Sequence, residues 1–209
     1  MSKPVVKIYG LPRTGTNFLG VMIERNFGAQ IAGSRKSGWK HGTYVDTGIP
    51  CVGLVKNPYS WLVSLWKWRT LANPITFKAW LKKSSDPCHW GLMLNHWLDA
   101  GVQFVRFEDL IVNPDKSMEV VEAAIGLQRK GNALRVPKGY VNKSRREEKE
   151  KFNAEYYLNG EYMKRYNDEA LRCFGERIDV DMMARFGYKY IDKPEVEKML
   201  VWKGLRKEH

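Results

Sequence analysis

A loop between two glycines near the start of the chain has the residue types of an anion-binding site. Gly10 and Gly15 bracket the residues Leu-Pro-Arg-Thr, and the apolar residues from Phe18 onward recur with the periodicity of a helix. A helix that begins here directs backbone N–H groups and the positive end of its dipole toward whatever lies above the loop. The pattern therefore predicts a phosphate loop in which Arg13 supplies a positive charge.

The same glycine spacing occurs in the Walker A loop, but this chain departs from that motif at the next two positions. Thr16 and Asn17 stand where Walker A has Lys followed by Ser or Thr. The side chains that serve a triphosphate and its magnesium ion are therefore replaced. This disfavours an ordinary ATPase or GTPase. Glycine spacing alone also fits a tight turn whose glycines serve only packing.

Apolar patterns predict the strands and helices that position this loop. The predicted strands are 5–9, 51–55 and 102–107, and the helices that follow them run from about Phe18 to about Phe27, from Asn57-Pro58 onward, and from Asn113-Pro114 through Ala124. Thr14 or Thr16 is expected to cap the first helix. Alternation of strands and helices indicates parallel pairing with helices on both faces of the sheet. The sequence therefore predicts an α/β fold of three layers.

Three further segments have helical patterns. They are Asn73-Pro74 through Lys83, Cys88 to Ala100, and an amphipathic stretch from Phe152 to Phe186. Six of the eight tryptophans lie between Trp61 and Trp97, at spacings typical of helix packing. We expect these indoles to fill the core, with some available to line a pocket.

The composition fits one domain over 1–209 and an acidic partner. The formal charge is +12, which suits a nucleotide, a sulfated or phosphorylated substrate, nucleic acid or a membrane surface. Cys51, Cys88 and Cys173 have no metal-site spacing and are expected to be reduced. No apolar run approaches the ~18 residues that span a bilayer. Met1-Ser2-Lys3-Pro4 leads directly into the first strand, so we expect no signal peptide and a cytoplasmic protein.

A basic stretch from Arg129 to Lys151 carries half of the excess positive charge. It contains nine cationic and three acidic side chains. A solvated loop and helix face is the more common fate of such a run. The alternative is a basic flap that covers an anionic ligand.

Three motifs, in order along the chain, resemble those of the sulfotransferases that use 3′-phosphoadenosine 5′-phosphosulfate. The residues 12–19, Pro-Arg-Thr-Gly-Thr-Asn-Phe-Leu, resemble the family's 5′-phosphosulfate loop. The segment 55–66, with Lys56 and Ser64 eight positions apart, is similar to its 3′-phosphate motif, which usually begins with arginine. The segment 105–110, Val-Arg-Phe-Glu-Asp-Leu, with Pro114, is similar to a strand end of the family.

This resemblance implies a P-loop nucleotide-kinase-like fold that transfers a sulfuryl group from that donor to an acceptor, usually a hydroxyl, without a metal. It divides the chain into a nucleotide-binding core, 1–115, and a mostly helical completion, 116–209, with the basic flap at 129–151. The residues implied to bind the donor are Arg13, Thr14, Gly15, Thr16 and Asn17 at the 5′ end and Lys56 and Ser64 at the 3′-phosphate; Lys143 and Arg145 are assigned to a substitute for the family's late basic loop.

The resemblance also implies a catalytic base. Many family members have a Lys-x-His or Lys-His element before the second strand, and Trp39-Lys40-His41 occupies that place. His41 is therefore predicted to be the base, while Lys40 assists Arg13 at the leaving group. Glu108 is the rival base, although an anchoring role after the third strand suits it better. His89 and His96 are expected to pack or to line a pocket.

Two other functions stay open at this stage. A nucleotide kinase or NTPase that has lost its lysine would bind ATP with magnesium. A nucleic-acid-binding protein would use the net charge and the aromatic residues, although no RRM, KH, helix-turn-helix or zinc-finger signature is present, and no nucleic-acid partner is expected. The basic flap suits an anionic acceptor and suits the donor's own phosphates equally well, and a fold by itself does not select the acceptor.

Overall fold

A computed structural model describes residues 2–33, 38–141, 148–151, 153–192 and 195. By their contacts, the residues form two compact units, each built from two segments of the chain. The first unit is Met1–Lys56 with Met93–Phe152, and the second is Asn57–Leu92 with Asn153–His209. The prediction of a single domain over 1–209 stays a prediction.

The described part of the first unit contains a four-stranded sheet in which every pairing is parallel. Its strands are β1 (Val5–Tyr9), β2 (Gln30–Ile31), β3 (Cys51–Val55) and β4 (Phe104–Arg106), in the order β2-β1-β3-β4. The last four residues of β1 and the last four residues of β3 are buried. Parallel strands covered by other elements carry such apolar runs because both faces are removed from water. The predicted α/β class is confirmed.

The helices of the described residues are mostly short. In chain order they are α1 (Thr16–Phe27), α2 (Pro58–Arg69), α3 (Phe77–Lys83), α4 (Asp86–Asp99), α5 (Phe107–Val112), α6 (Pro114–Ile125), α7 (Ala154–Leu158), a 3₁₀ helix (Glu161–Arg165), α8 (Asp168–Gly175) and α9 (Val180–Arg185). A separate antiparallel pair joins β5 (Gly139–Val141) to β6 (Glu148–Lys151). Through α6 the order is β1, α1, β2, β3, three helices, β4 and two helices, so the alternation predicted from the sequence is only partial.

The strand order places a topological switch point between β1 and β3. From β1 the chain passes through α1 to β2 on one side, whereas β3 pairs with the opposite side of β1 and continues to β4. Ligands of open parallel sheets bind outside the carboxyl ends of the strands at such a point. The loop after Tyr9 and the residue after Val55, Lys56, both lie at this edge.

The second unit has an aromatic core. Tyr59 stacks on Phe174 with ring centroids 4.1 Å apart, and the Tyr166 hydroxyl donates to the Tyr59 carbonyl oxygen at 3.1 Å. Trp61 and Trp90 are completely buried in the chain, as is Trp97 of the first unit. The packing role predicted for these indoles is confirmed, whereas Trp68 is 49% exposed.

Several predicted boundaries are wrong for local reasons. The strand predicted over 102–107 is shorter, because Phe107 already begins α5. The helix predicted from Asn73-Pro74 begins at Phe77, where the Thr76 hydroxyl oxygen accepts the Ala79 N–H. The amphipathic stretch predicted from 152 to 186 is divided into four short helices by Gly160 and by the side-chain caps Asn167 and Asp179. Local capping therefore overrides the longer apolar period.

Among the described residues, no helix combines the length and apolar character needed to cross a membrane.

Gly53 generates a prediction about stability. It pairs with Phe104 across β3 and β4, and a methyl group at Gly53 would lie 2.4 Å from the Phe104 ring. Because the ring must move, we expect Gly53→Ala to lower the free energy of unfolding in urea by about 1–3 kcal/mol. Gly33→Ala is the control, since a methyl there meets no described atom within 4 Å. Equal effects in the two variants would contradict this packing account.

Candidate functional site

The loop between β1 and α1 is shaped by its two glycines. Gly15 occupies the N-cap position of α1 with φ of +99°, a conformation that L side chains rarely adopt. A methyl group at Gly10 would lie 2.8 Å from the Leu54 carbonyl oxygen of β3. The loop therefore approaches the neighbouring strand closely at one end and turns sharply at the other.

The predicted cap of α1 by Thr14 or Thr16 is wrong. The Thr14 hydroxyl donates to the Leu11 carbonyl oxygen at 2.7 Å, within the loop, and Gly15 takes the N-cap position. Thr16 is the first residue of α1 and is buried. Because Gly15 has no side chain, it cannot accept a hydrogen bond from the first N–H groups of α1.

The segment 39–42 lies against the beginning of this loop. The Gly10 N–H donates to the Lys40 carbonyl oxygen at 3.1 Å, and His41 Nδ1 is hydrogen-bonded to the Gly10 carbonyl oxygen. Both backbone groups of one glycine are thus engaged by residues about thirty positions away. The predicted base and the predicted phosphate loop are neighbours in space.

Lys40 is joined to the same loop by its side chain. Its ammonium Nζ donates to Asn17 Oδ1 at 2.8 Å, in the first turn of α1. A second cation is therefore located at the N-terminal end of the helix, in addition to Arg13 within the loop. Positive charge at this end reinforces the helix dipole rather than neutralising it, and such an arrangement favours an anion.

Other contacts in the first unit fix the segment that carries His41. Trp97 Nε1 donates to the Gly42 carbonyl oxygen at 3.0 Å, and the Tyr44 N–H donates to His96 Nε2 at 3.0 Å. The Tyr9 hydroxyl accepts the Val45 N–H at 3.1 Å. These three contacts were not predicted from the sequence, because each joins positions far apart in the chain. His96, expected to pack or to line a pocket, is instead an exposed anchor of this segment.

The environment of His41 favours its neutral form. Burial, with a smaller contribution from the Lys40 charge, lowers the pKa of His41 from 6.5 to about 4, although its hydrogen bond to Gly10 opposes this shift. Because a carbonyl oxygen can only accept, Nδ1 carries the proton of the neutral ring. The lone pair is consequently on Nε2. This tautomer can accept a proton from an acidic group placed at Nε2.

Arg13 occupies an unusual backbone conformation. Its φ is +70°, and its side chain is exposed. The left-handed region is strained for a non-glycine residue, so contacts of the surrounding structure must stabilise this conformation. Such residues cluster at functional sites. The conformation lets the loop turn before Gly15 while it keeps a guanidinium at the surface of the site.

Lys56 lies at the carboxyl end of β3 and is only 2% exposed. Its ammonium lies 4.6 Å from the centroid of the Phe107 ring, and a methyl group at Gly15 would lie 2.9 Å from the same ring. Phe107 therefore packs between the phosphate loop and the buried cation. From the sequence, Phe107 was predicted only as part of a strand end. Its aromatic ring was the one sequence feature that could have indicated the contact with the Lys56 ammonium.

The other predicted residues lie on α2, α4 and α5 or outside the described residues. Ser64 is in α2 of the second unit, where its hydroxyl donates to the Ser60 carbonyl oxygen at 2.9 Å. Lys143 and Arg145 lie outside the described residues. Glu108 is half-buried in the first turn of α5. His89, expected to pack or to line a pocket, is exposed on α4.

The described start of the basic stretch, 129–138, is a mostly exposed loop, as the solvated alternative expects, although no helix forms there. Arg129 pairs with Asp115 at 3.0 Å and with Glu122 at 3.4 Å. The Arg135 N–H donates to Asn26 Oδ1 at 2.8 Å, near the C-terminal end of α1. Part of the remainder forms the β5–β6 pair. These contacts hold the described beginning of the stretch at the end of α1 that is remote from the phosphate loop.

One tryptophan lines a groove in the second unit. Trp66 borders a space of about 750 Å³ together with Phe77, Lys78, Lys164 and Arg165. The guanidinium of Arg165 lies 5.9 Å from the centroid of the Trp66 ring. That some of the tryptophans line an acceptor pocket stays a prediction.

Within the described part of the chain, His, Cys, Asp and Glu side chains form no group of three or more that could hold a metal ion. Cys51, Cys88 and Cys173 are free thiols. No protein-family model matches this chain, and no curated protein sequence matches it.

The environment of His41 generates a prediction about its titration. We expect its imidazole to titrate with a midpoint near pH 4 in the folded protein, as measured by NMR, because burial disfavours the charged ring. The unfolded chain binds this proton more tightly. The stability that His41 contributes is therefore complete above pH 6.5 and declines as the pH falls toward 4.

His41→Asn is the control, since it retains a polar side chain without this titration. The urea midpoint of the variant should fall less than that of the wild type between pH 6.5 and pH 4. A His41 midpoint close to 6.5 would show that the ring is not desolvated.

Proposed function

We propose that this protein transfers a sulfuryl group from 3′-phosphoadenosine 5′-phosphosulfate to an acceptor hydroxyl. The observation that carries the proposal is the hydrogen bonding of both Gly10 backbone groups by Lys40 and His41. It brings a neutral base and a cation to the N-terminal end of α1. The resemblance of the three sequence motifs supports the same function.

The residues at the loop fit this donor by their chemistry. The loop residues 10–17 include no carboxylate, Arg13 supplies a cation within the loop, and the Lys40 ammonium bonds Asn17. A 5′-phosphosulfate has no γ-phosphate and carries less negative charge than a triphosphate without its metal ion, so in the proposal a guanidinium takes the place of the Walker lysine. In the proposal, Arg13, Thr14, Gly15, Thr16 and Asn17 hold the 5′ end.

Lys56 is assigned to the 3′-phosphate together with Ser64. It follows β3 at the switch point, beside the strand from which the phosphate loop emerges. A lysine at this place offers a compact charge rather than the two-pronged contact of an arginine. The Ser64 hydroxyl would have to exchange its bond to Ser60 for the phosphate. Lys143 and Arg145 complete the proposed donor site from the basic stretch.

The proposed catalytic roles follow from charge. When bound, the donor supplies a sulfuryl group whose transfer leaves an electron pair on the oxygen of the departing phosphate. Arg13, Lys40 and the first N–H groups of α1 stabilise that developing negative charge. His41 Nε2 accepts the proton of the acceptor hydroxyl as its oxygen bonds to sulfur. The Gly10 carbonyl then stabilises the imidazolium through Nδ1.

The donor assignment predicts selective nucleotide binding. We expect adenosine 3′,5′-bisphosphate to raise the melting temperature much more than AMP at equal concentration, because only the former has a 3′-phosphate for Lys56. Magnesium should change this shift little. Equal stabilisation by both nucleotides would contradict the assignment, and magnesium-dependent binding of ATP would favour a kinase or NTPase.

Lys56→Met tests the assignment at one residue, since methionine preserves the buried stem. We expect its dissociation constant for the bisphosphate to rise at least tenfold, whereas AMP binding stays within about threefold. Lys83→Met, at an exposed position of α3, is the matched control and should bind like the wild type. Calorimetric titration provides the measurement.

The base assignment predicts a separation of catalysis from binding. We expect His41→Asn to lower kcat by about 10²–10⁴-fold, because proton transfer is lost, while bisphosphate binding stays within threefold. Transfer of labelled sulfuryl groups to the best acceptor of a phenol and glycoside panel provides the rate. If Glu108→Gln gives this loss and His41→Asn does not, Glu108 is the base.

A further inference from the structure

An exposed tryptophan adjoins the proposed base. Trp39 is 59% exposed, and its ring lies edge-to-face with the His41 ring, with centroids 5.0 Å apart and an interplanar angle of 88°. Most other tryptophans of the described chain are buried; Trp61, Trp90 and Trp97 have no exposed surface. Leaving a large apolar ring in water forgoes the gain of burying it.

The backbone that carries this ring is held by hydrogen bonds. The Gly42 N–H donates to the Trp39 carbonyl oxygen at 3.0 Å, so residues 39–42 form a tight turn. A methyl group at Gly42 would lie 3.9 Å from Cε3 of the indole, which shows that the ring rests near this backbone. The turn is itself held by the bonds of Lys40 and His41 to Gly10. Trp39 is therefore a preorganised apolar surface.

We propose that Trp39 is the specificity-determining residue for the acceptor, and that the acceptor is a hydroxyl carried on a flat ring whose face packs on the indole. This inference rests on the proposed function. A hydroxyl that gives its proton to His41 must lie within hydrogen-bond distance of Nε2. Given the 5.0 Å between the two rings, the carbon atoms attached to that hydroxyl then lie within reach of Trp39.

A flat ring matches this surface better than a flexible chain. Its face buries apolar area on the indole without the loss of rotational freedom that a linear alcohol suffers. Phenols present a flat face and pyranosides present the apolar C–H face of a rigid puckered ring, so the shared chemistry is a rigid ring with an apolar face and a hydroxyl at its rim. In the experiment, phenol represents the aromatic ring, methyl β-glucoside represents the pyranoside ring, and 1-butanol represents a flexible alcohol.

The test uses the full chain with ¹⁵N-labelled indoles, saturated with adenosine 3′,5′-bisphosphate. We expect phenol or methyl β-glucoside to shift the indole signal of Trp39 at concentrations at least tenfold below those required of 1-butanol. The signal of Trp68, which is 49% exposed on α2, should stay unchanged and is the matched control. Loss of one signal in Trp39→Phe assigns the resonance.

The kinetic arm measures the ratio of kcat/KM for the better ring acceptor to that for 1-butanol. We expect Trp39→Ala to reduce this ratio at least tenfold, through KM, and Trp39→Phe to retain it within threefold. If Trp39→Ala lowers kcat equally for all acceptors and moves the His41 titration, Trp39 only positions His41 and the inference is wrong.

The outcomes separate this inference from the proposed function. A protein that binds the bisphosphate but shows no Trp39 shift with either ring ligand overturns the inference alone. A protein that fails to bind the bisphosphate overturns the proposed function, and the acceptor assignment falls with it. A ring preference that disappears in Trp39→Ala, with bisphosphate binding unchanged, supports both.

Discussion

The arrangement of the candidate site depends on the two hydrogen bonds at Gly10. Its N–H and carbonyl group, at the end of β1, would otherwise require other partners, since backbone polar groups are costly to bury unpaired. Residues 40 and 41 supply those partners. The same two bonds that satisfy the backbone therefore locate the imidazole and the ammonium beside the phosphate loop.

The electrostatics of the site follow from this placement. Desolvation keeps His41 neutral, the carbonyl of Gly10 selects the tautomer, and Lys40 adds positive charge at the start of α1. A base and two cations can coexist here because the imidazole carries no charge of its own. The neutral imidazole and the cations are therefore separate groups at one edge of the sheet.

The fold contributes through the order of its strands. With β1 and β3 adjacent and their connections leaving in opposite directions, the loop after Tyr9 and the residue Lys56 emerge on the same edge. Phe107, at the end of β4, then fills the space between Gly15 and Lys56. The carboxyl ends of β1, β3 and β4, which are neighbours in the sheet, thus form one surface. The residues concerned are distributed over about a hundred positions of the chain.

The sequence by itself determined the α/β class, the glycine loop with Arg13 and the apolar core, because strand and helix periods and turn residues act over a few neighbouring positions. The tertiary structure alone decided the contacts of His41 and Lys40 with Gly10 and Asn17, the packing of Phe107 and the anchoring of Arg129. These contacts depend on strand order and loop closure, which join distant residues and therefore produce no periodic pattern in the sequence. Local caps at Thr76, Asn167 and Asp179 also overrode the predicted boundaries.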